Sequence, residues 1–437
     1  MNKLTVIGGG LAGCEAAYAA ANRGIEVELL EMKPAKKTAA HKSDNLAELV
    51  CSNSLKASRV DSAAGLLKEE MRRLGSVCLA AADRSAVAAG GALAVDRDIF
   101  SKLITEKIKS HPNITVTERL VTEIPQSGIT VIATGPLTDD ALAEKLAGLC
   151  DGGNLSFYDA AAPIVTAESV DMSKAFFASR YDKGGDDYIN CPMNKEEYTA
   201  FYHELINAES AALHGFDKAP NVYEGCMPIE VLAKRGEDSI RFGPLKPVGL
   251  RDPRTGHRPW AAVQLRRENA AATLFNIVGF QTNLKFSEQK RVFSMIPGLE
   301  NAEFMRCGVM HRNTFINSPK MLNRNLSLKA DKNIFIAGQL SGVEGYMESA
   351  ASGIIAGINA AAEITGEKPL VLPETTMTGA LLSYITNPLT ENFQPMGANF
   401  GIIPPLEAHI RDKRERYAAL AARALRILAD NIKTEEM

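Results

Sequence analysis

The apolar pattern begins as a short run, Leu4-Thr5-Val6-Ile7, stops at three consecutive glycines, and resumes as an alanine-rich stretch reaching Asn22. That change predicts a strand, a tight turn and a helix. A second strand is predicted over Glu26 to Leu30. Ile129-Thr130-Val131-Ile132 reads as a buried strand running into Ala133-Thr134-Gly135-Pro136. Asn333-Ile334-Phe335-Ile336 reads as another, followed by Gly338, Gly342, Gly345 and a small-residue helix over Ala350 to Ala362. Apolar strands alternating with helices fit a parallel sheet covered on both faces. From roughly 155 to 330 the pattern changes. Aromatics and loops increase, and Pro163, Pro192, Pro228, Pro244, Pro247, Pro253 and Pro259 break up long helices. The stretch 407–435 has helix-like composition, with Arg411, Lys413, Arg414 and Arg416 near its start, and reads as a solvated helix face.

A chain of 437 residues exceeds the size at which one core usually keeps growing. Two domains, or one with a large insertion, are therefore expected, and 155–330 reads as an inserted α+β domain that faces the substrate. The segment from Asn333 to Gly345 resembles a C-terminal flavin motif in which a strand returns to the first sheet, and that resemblance implies one discontinuous domain from 1–154 and 331–437. At 46% hydrophobic and 23% charged residues, with no uninterrupted apolar span of membrane length, the chain reads as soluble, with no membrane association. Met1-Asn2-Lys3 leads straight into the first strand without a small-residue cleavage site, so a cytoplasmic location is expected. Seven cysteines without a CxxC pair fit a reducing compartment and argue against zinc or a redox dithiol, so no metal is expected. A formal charge of −3 excludes a generally basic surface but not a local basic patch for phosphates. No segment signals a protein partner.

Gly8, Gly10 and Gly13, with Gly9, Leu11 and Ala12 between them, match a dinucleotide-binding fingerprint, and Glu31 follows Gly13 by eighteen residues at a strand end. Each part has a physical use. Gly8 allows the turn, Gly10 lets a pyrophosphate approach the backbone, Gly13 lets helix pack on strand, and Glu31 accepts from a ribose hydroxyl. Gly135, at the end of an Ala-Thr-Gly segment, and the loop of Gly338, Gln339, Gly342 and Gly345 resemble flavin-fold landmarks. The expected fold is therefore α/β, Rossmann-like and glutathione-reductase-like, binding FAD.

Several segments carry a more specific resemblance: Val6 to Ala17, Leu49-Val50-Cys51-Ser52-Asn53-Ser54-Leu55, Gly90 to Arg97, Tyr223-Glu224-Gly225-Cys226-Met227-Pro228, and Gly338 to Tyr346. Together they resemble the FAD-dependent methylenetetrahydrofolate-tRNA uracil-5 methyltransferases. The first fingerprint is shared with the flavoproteins that install carboxymethylaminomethyl groups on wobble uridine, a family similar in flavin fold but with a long helical C-terminal extension. The resemblance implies methylenetetrahydrofolate as one-carbon donor, NADH or NADPH as reductant, tRNA and folate as partners, and ribothymidine in the T-loop as product. Ribosomal RNA uridine is an alternative target. A flavin oxidoreductase acting on a small molecule and an FAD-stabilised RNA-binding factor are rival readings.

Carbon 5 of uracil becomes nucleophilic only after a nucleophile adds to carbon 6, and a soft thiolate suits that addition. Cys51 and Cys226 are the two candidates, one as nucleophile and the other as general base. Cys226 lies between Gly225 and Met227-Pro228, an irregular loop by composition. Cys51 precedes Ser52-Asn53-Ser54, which reads as a helix cap placing the sulfur at a helix N-terminus. Buried structural thiols are the competing reading for both. Tyr346 is a candidate pterin-stacking ring, and Arg97 a candidate flavin or substrate contact. Arg251 and Arg254 belong to a basic stretch with Arg241, Lys246, Arg258, Arg266 and Arg267, in which Asp252 is the sole acid and Trp260 the aromatic platform for an unstacked base.

Overall fold

The computed structural model describes residues 3–38, 40–148, 155–182, 185–211, 227–308, 310–390 and 393–435. Among them the strands are β1 (Lys3–Ile7), β2 (Glu26–Glu31), β3 (Ser54–Ala57), β4 (Ala86–Val87), β5 (Ala92–Val95), β6 (Ile114–Glu118), β7 (Ile129–Ile132), β8 (Leu155–Ala160), β9 (Ile164–Thr166), β10 (Phe176–Phe177), β11 (Tyr188–Met193), β12 (Ala261–Arg267), β13 (Leu274–Ile277), β14 (Phe304–Arg306), β15 (Met310–Phe315) and β16 (Ile334–Ile336). The α-helices are α1 (Leu11–Ala21), α2 (Ala63–Arg73), α3 (Val77–Arg84), α4 (Arg97–Lys109), α5 (Asp140–Gly148), α6 (Lys195–Asn207), α7 (Ile229–Ala233), α8 (Glu237–Arg241), α9 (Phe286–Phe293), α10 (Ser318–Met321), α11 (Tyr346–Thr365), α12 (Met377–Thr386) and α13 (Lys413–Glu435).

One sheet is wholly parallel, in the order β16-β7-β1-β2-β6. Leu4 pairs with Ile129 and Phe335 with Val131, so a strand from the last third of the chain completes the sheet opened at residue 3. The α/β Rossmann-like expectation is met by this topology. Helix α1 is alanine-rich because apolar surroundings enclose it: every residue from Leu11 to Ala21 except Tyr18 is buried. Across it runs α11, and the two approach to backbone contact. A Cβ on Gly353 would sit 2.2 Å from the Ala12 carbonyl oxygen, and one on Gly357 2.3 Å from that of Ala16.

The second sheet has the order β10-β11-β12-β13-β9-β14 and is antiparallel throughout. It carries its own apolar cluster, from Ala162 to Phe304, with Phe201, Phe275, Phe280 and Phe293 among the buried rings. The antiparallel pair β8–β15, with Leu155 opposite Phe315, carries the chain out of the first core and back. Phe315, Ile316, Met321 and Leu328 fall within the expected 155–330 insertion, yet they pack into the first core. The Ile316 amide donates to the Leu340 carbonyl, and the Ile336 amide to that of Leu326, which ties this segment to β16.

Two sequence expectations are corrected. The C-terminal helix starts at Lys413 rather than 407, and it is not merely a solvated face, because Leu420, Ala421, Ala424 and Leu428 are buried in the first core. The stretch Ser52-Asn53-Ser54 caps no helix: it leads into β3, which pairs antiparallel with β5. No helix among the described residues is long and apolar enough to cross a membrane.

Candidate active site at the junction of two cores

At the end of β1 the backbone turns at Gly8, with φ of +100° and space for a Cβ only 2.7 Å from the Ala133 carbonyl oxygen. A Cβ at Gly13 would lie 1.8 Å from the Gly8 carbonyl oxygen, so glycine there is required for helix to meet strand. Gly10 differs: a Cβ there would meet nothing within 4 Å, and no side chain caps α1, whose N-terminus opens onto the groove. Leu11 and Ala12 form the first turn of α1 and are buried. Glu31 is buried at the end of β2, accepting from the Gly9 amide at 2.6 Å and the Lys33 amide at 2.9 Å. Glu31, Gly8, Gly9, Gly10, Thr134 and Asp139 line one groove. Gly135 adopts φ of +71°, and its carbonyl accepts from the Thr138 hydroxyl at 2.8 Å.

The later glycines are equally constrained. Gly338, Gly342 and Gly345 have φ of +76°, +81° and +120°. Gln339 donates to Glu344 at 2.7 Å, fixing the loop between them. Gly345 caps α11 without a side-chain bond, so the N-terminus of this 20-residue helix is also uncapped by side chains. Behind it Glu348, almost fully buried, accepts from Lys56 at 2.7 Å and from the Ala398 amide at 3.0 Å.

Cys51 sits where the two cores meet, and both sides grip its backbone. From the first core, the Tyr346 hydroxyl accepts from the amides of Cys51 at 2.7 Å and Ser52 at 3.2 Å. Arg97 donates to the carbonyls of Leu49 at 2.7 Å and Cys51 at 2.9 Å. From the second core, Arg306 donates to the Val50 carbonyl, and Arg266 donates to Asn53 at 3.0 Å and to the Ser52 hydroxyl at 2.9 Å. Glu268 closes the cluster through an ion pair with Arg97. The Cys51 thiol faces the Ala160 carbonyl oxygen at 3.6 Å. Burial lowers Arg266 and Arg306 from the usual guanidinium range and raises Glu268, whose rise Arg97 and Arg266 oppose. Burial pushes the Tyr346 phenol well up, so it stays protonated at neutral pH.

This geometry revises several expected roles. The positive field at Cys51 comes from guanidinium groups, not from a helix N-terminus at residues 52–54. The Arg97 guanidinium, expected to contact flavin or substrate, is occupied by the Cys51 loop and Glu268. Tyr346 uses its hydroxyl to hold the same loop. Cys226 lies outside the described residues, but the segment after it is anchored. The Ile229 amide donates to Gln281, and buried Glu230 accepts from the Thr282 hydroxyl at 2.8 Å and the Asn283 amide at 2.7 Å. The Thr282 amide donates in turn to Ala161, the neighbour of the residue that faces the Cys51 sulfur. The anchor of the Cys226 segment is thus a few contacts from Cys51.

The basic stretch from 241 to 267 splits in space. Arg251 is exposed. Arg254 forms a two-point ion pair with Asp252, at 3.1 and 3.0 Å, and donates to the Ser173 carbonyl at 2.9 Å. Arg241 covers the Trp260 ring at 3.7 Å from its centroid, so that face is not an open platform for a base. Arg266 points into the junction instead of toward solvent, because β12 is buried along nearly its whole length. The sequence reading missed Glu268 and Arg306 altogether; an Arg-Arg-Glu run ending a buried strand was the available signal. No grouping of His, Cys, Asp and Glu among the described residues is arranged to hold a metal ion.

The sequence model of the family described as "Glucose inhibited division protein A" matches residues 3–368. A protein of Lactobacillus gasseri named methylenetetrahydrofolate--tRNA-(uracil-5-)-methyltransferase TrmFO is 58% identical over 428 residues, covering 98% of each chain. Proteins of the same name from Acetivibrio thermocellus and Enterococcus faecalis are 58% and 56% identical over 98% and 99% of this chain, and cover the same shares of those proteins. Among solved structures, Aquifex aeolicus GidA in its form I crystal superposes with a TM-score of 0.71 at 18% identity, covering 98% of this chain and 76% of that one, a likeness of fold. The chain therefore belongs to the glucose inhibited division protein A family, among the methylenetetrahydrofolate--tRNA-(uracil-5-)-methyltransferases named TrmFO.

Proposed function

We propose that this chain methylates carbon 5 of uridine in the T-loop of tRNA, forming ribothymidine with a one-carbon unit from methylenetetrahydrofolate and electrons passed from NADH or NADPH through FAD. The observation that carries this reading is Cys51, fixed by its backbone beneath three arginines where a dinucleotide fold meets a second core. The names of relatives at 56–58% identity support the same chemistry. The first core, drawn from both chain ends, is the flavin-binding part, and the second is the substrate-facing part.

The groove fits FAD on its own geometry. Open space at Gly10 and the uncapped start of α1 offer a pyrophosphate both room and amide donors. The Glu31 carboxylate accepts two amides and has further lone pairs for a ribose hydroxyl. When bound, FAD supplies the two electrons that convert methylene to methyl. The chain's own thiols do the rest. One thiolate adds to carbon 6 of uracil, and the electron pair displaced to carbon 5 attacks the methylene carbon. The bond from the methylene to its carrier nitrogen then breaks as the other thiolate removes the proton from carbon 5, and two-electron reduction of the exocyclic methylene so formed expels the first thiolate from carbon 6 and restores the ring. Cys51 and Cys226 take these two roles. Uracil, folate and flavin must share or alternate at one face of the isoalloxazine, and the loop Gln339 to Tyr346 is the candidate for the folate pocket.

The test is incubation of FAD-loaded protein with unmodified tRNA transcript, NADPH and methylenetetrahydrofolate, then mass spectrometry of the digested RNA. Ribothymidine that is absent with Cys51→Ala and Cys226→Ala is expected. Flavin oxidation without tRNA methylation would redirect the assignment to ribosomal RNA or a small molecule.

A further inference from the structure

We infer that Arg266 and Arg306, both carried by the second core, hold Cys51 as a thiolate and make its reactivity depend on the seating of that core against the loop 49–53. The inference deepens the proposed function, because it rests on Cys51 being one of the reacting thiols.

The argument is one of charge in a confined space. Three guanidinium groups, Arg97 from α4, Arg266 from β12 and Arg306 from β14, converge on residues 49–53, and Glu268 is the carboxylate among them. Among the described residues of this cluster that leaves an excess of two positive charges, where Arg266 and Glu268 are 7% and 5% exposed. Buried charge without a counter-charge is costly, so a neighbouring acid is driven to ionise. The phenols of Tyr346 and of Tyr188, which faces Arg266, are both pushed upward by burial and stay neutral. Among the described groups of this cluster, the Cys51 thiol is the acid left to ionise, giving its proton to water. Its thiolate would raise both Arg266 and Arg306, the reciprocal of the same attraction. Neither arginine needs to touch substrate: each is a positioning residue acting through Cys51. Because Arg266 also holds Ser52 and Asn53, it fixes the loop while it supplies charge.

Iodoacetamide alkylation of Cys51 in the FAD-loaded, full-length protein, followed by peptide mapping from about pH 5 to about pH 9, reads the thiolate fraction directly. The expected midpoint lies at least about one unit below the ordinary thiol value of roughly 8.5. Arg306→Gln is expected to raise it and slow alkylation at neutral pH about three- to tenfold, while Arg306→Lys keeps most of the rate because it keeps the charge. Flavin absorbance and thermal melting establish that each variant is folded, and the unsubstituted protein's own profile decides the question if a variant is not. An ordinary midpoint in the unsubstituted protein, or a folded Arg306→Gln with an unchanged profile, overturns the inference. Failure of the functional reading looks different: Cys51 titrates low and responds to Arg306, yet Cys51→Ala still forms ribothymidine at full rate.

Discussion

The hydroxyl oxygen of Tyr346 lies 2.7 Å from the amide nitrogen of Cys51, a contact between residues 295 positions apart that joins the start of α11 to the loop carrying Cys51. The Ser52 amide donates to the same oxygen, so one side chain satisfies two consecutive amides. Tyr346→Phe keeps the ring and deletes the acceptor. Each amide left without a partner costs about 1–3 kcal/mol if it stays buried, and the loop is expected to shift instead. Methylation is expected to fall at least about tenfold in kcat, the equivalent of roughly 1.4 kcal/mol, with flavin still bound. Steady-state kinetics beside the flavin absorbance check this. A Phe variant with an undiminished kcat would leave the hydroxyl without a role at Cys51.

The contact between α1 and α11 makes a second prediction. Gly353 and Gly357 lie against the backbone of Ala12 and Ala16, and the former has room for a Cβ only 2.2 Å from a carbonyl oxygen. Backbone oxygen cannot swing aside as a flexible side-chain tip does, so Gly353→Ala must push α11 off α1. Overpacking of this kind costs typically about 1–3 kcal/mol. Because the N-termini of both helices belong to the proposed flavin site, the variant is expected to lose flavin as well as melting temperature. Gly366→Ala is a weaker perturbation for comparison: no atom lies within 4 Å of its Cβ position, although its φ is +75°. Equal flavin retention and stability in Gly353→Ala and the unsubstituted chain would mean that the helices separate without consequence.

What the sequence made legible follows from the range of the physics involved. Gly8, Gly10 and Gly13 were readable because their constraint is local: a turn, an open approach and a helix start within six residues. The strand at Ile334–Ile336 was readable from its own apolar run, and its return to the first sheet only from the resemblance to a flavin motif. Arg266 was misread as an RNA cation because the sequence reports composition, not which face of β12 is enclosed. Glu268 had only the Arg-Arg-Glu run as a local signal and Arg306 had none, since their partners Arg97 and Val50 are more than a hundred residues distant. Cys51 stood out only through its family resemblance. The helix-cap reading of Ser52-Asn53-Ser54 failed because pairing of β3 with β5 overrode a local capping preference.

Glu15, in the second turn of α1, shows the same long-range logic and carries a pH dependence. Its buried carboxylate accepts from the amides of Val77 and Cys78, each at 3.1 Å, and from the Ser76 hydroxyl, so it holds the N-terminus of α3. Burial outweighs these donors and pushes its pKa from 4.5 to about 7. A raised carboxyl pKa means the folded chain binds its proton more tightly than the unfolded chain does. Its contribution is therefore fully present below pH 4.5 and is lost as pH rises through about 7, an effect on the order of 3 kcal/mol over that window. Glu15→Gln should be less stable at low pH, since one of its two terminal atoms no longer accepts, but should lack this slope. Denaturant melts at a series of pH values measure the difference; parallel pH profiles for the two proteins would contradict it.

Arg251 and Arg254 stand three residues apart on one loop, but their chemistry differs. Arg254 is committed to Asp252 and to the Ser173 carbonyl, whereas Arg251 is exposed. If the second core faces tRNA, Arg251 is the one of the two available to a phosphate. Arg251→Ala should weaken tRNA binding uniformly across sequences and reduce the dependence of log affinity on log salt by about 0.7–0.9, the release of one counterion. The melting temperature should not move. Arg254→Ala should do the reverse, loosening the loop by removing a two-point ion pair while changing the salt slope less. Binding isotherms for both variants over a range of potassium concentrations separate the two behaviours. A salt slope unaltered in Arg251→Ala would place the RNA on another face of the molecule, and with it the approach by which a uridine reaches Cys51.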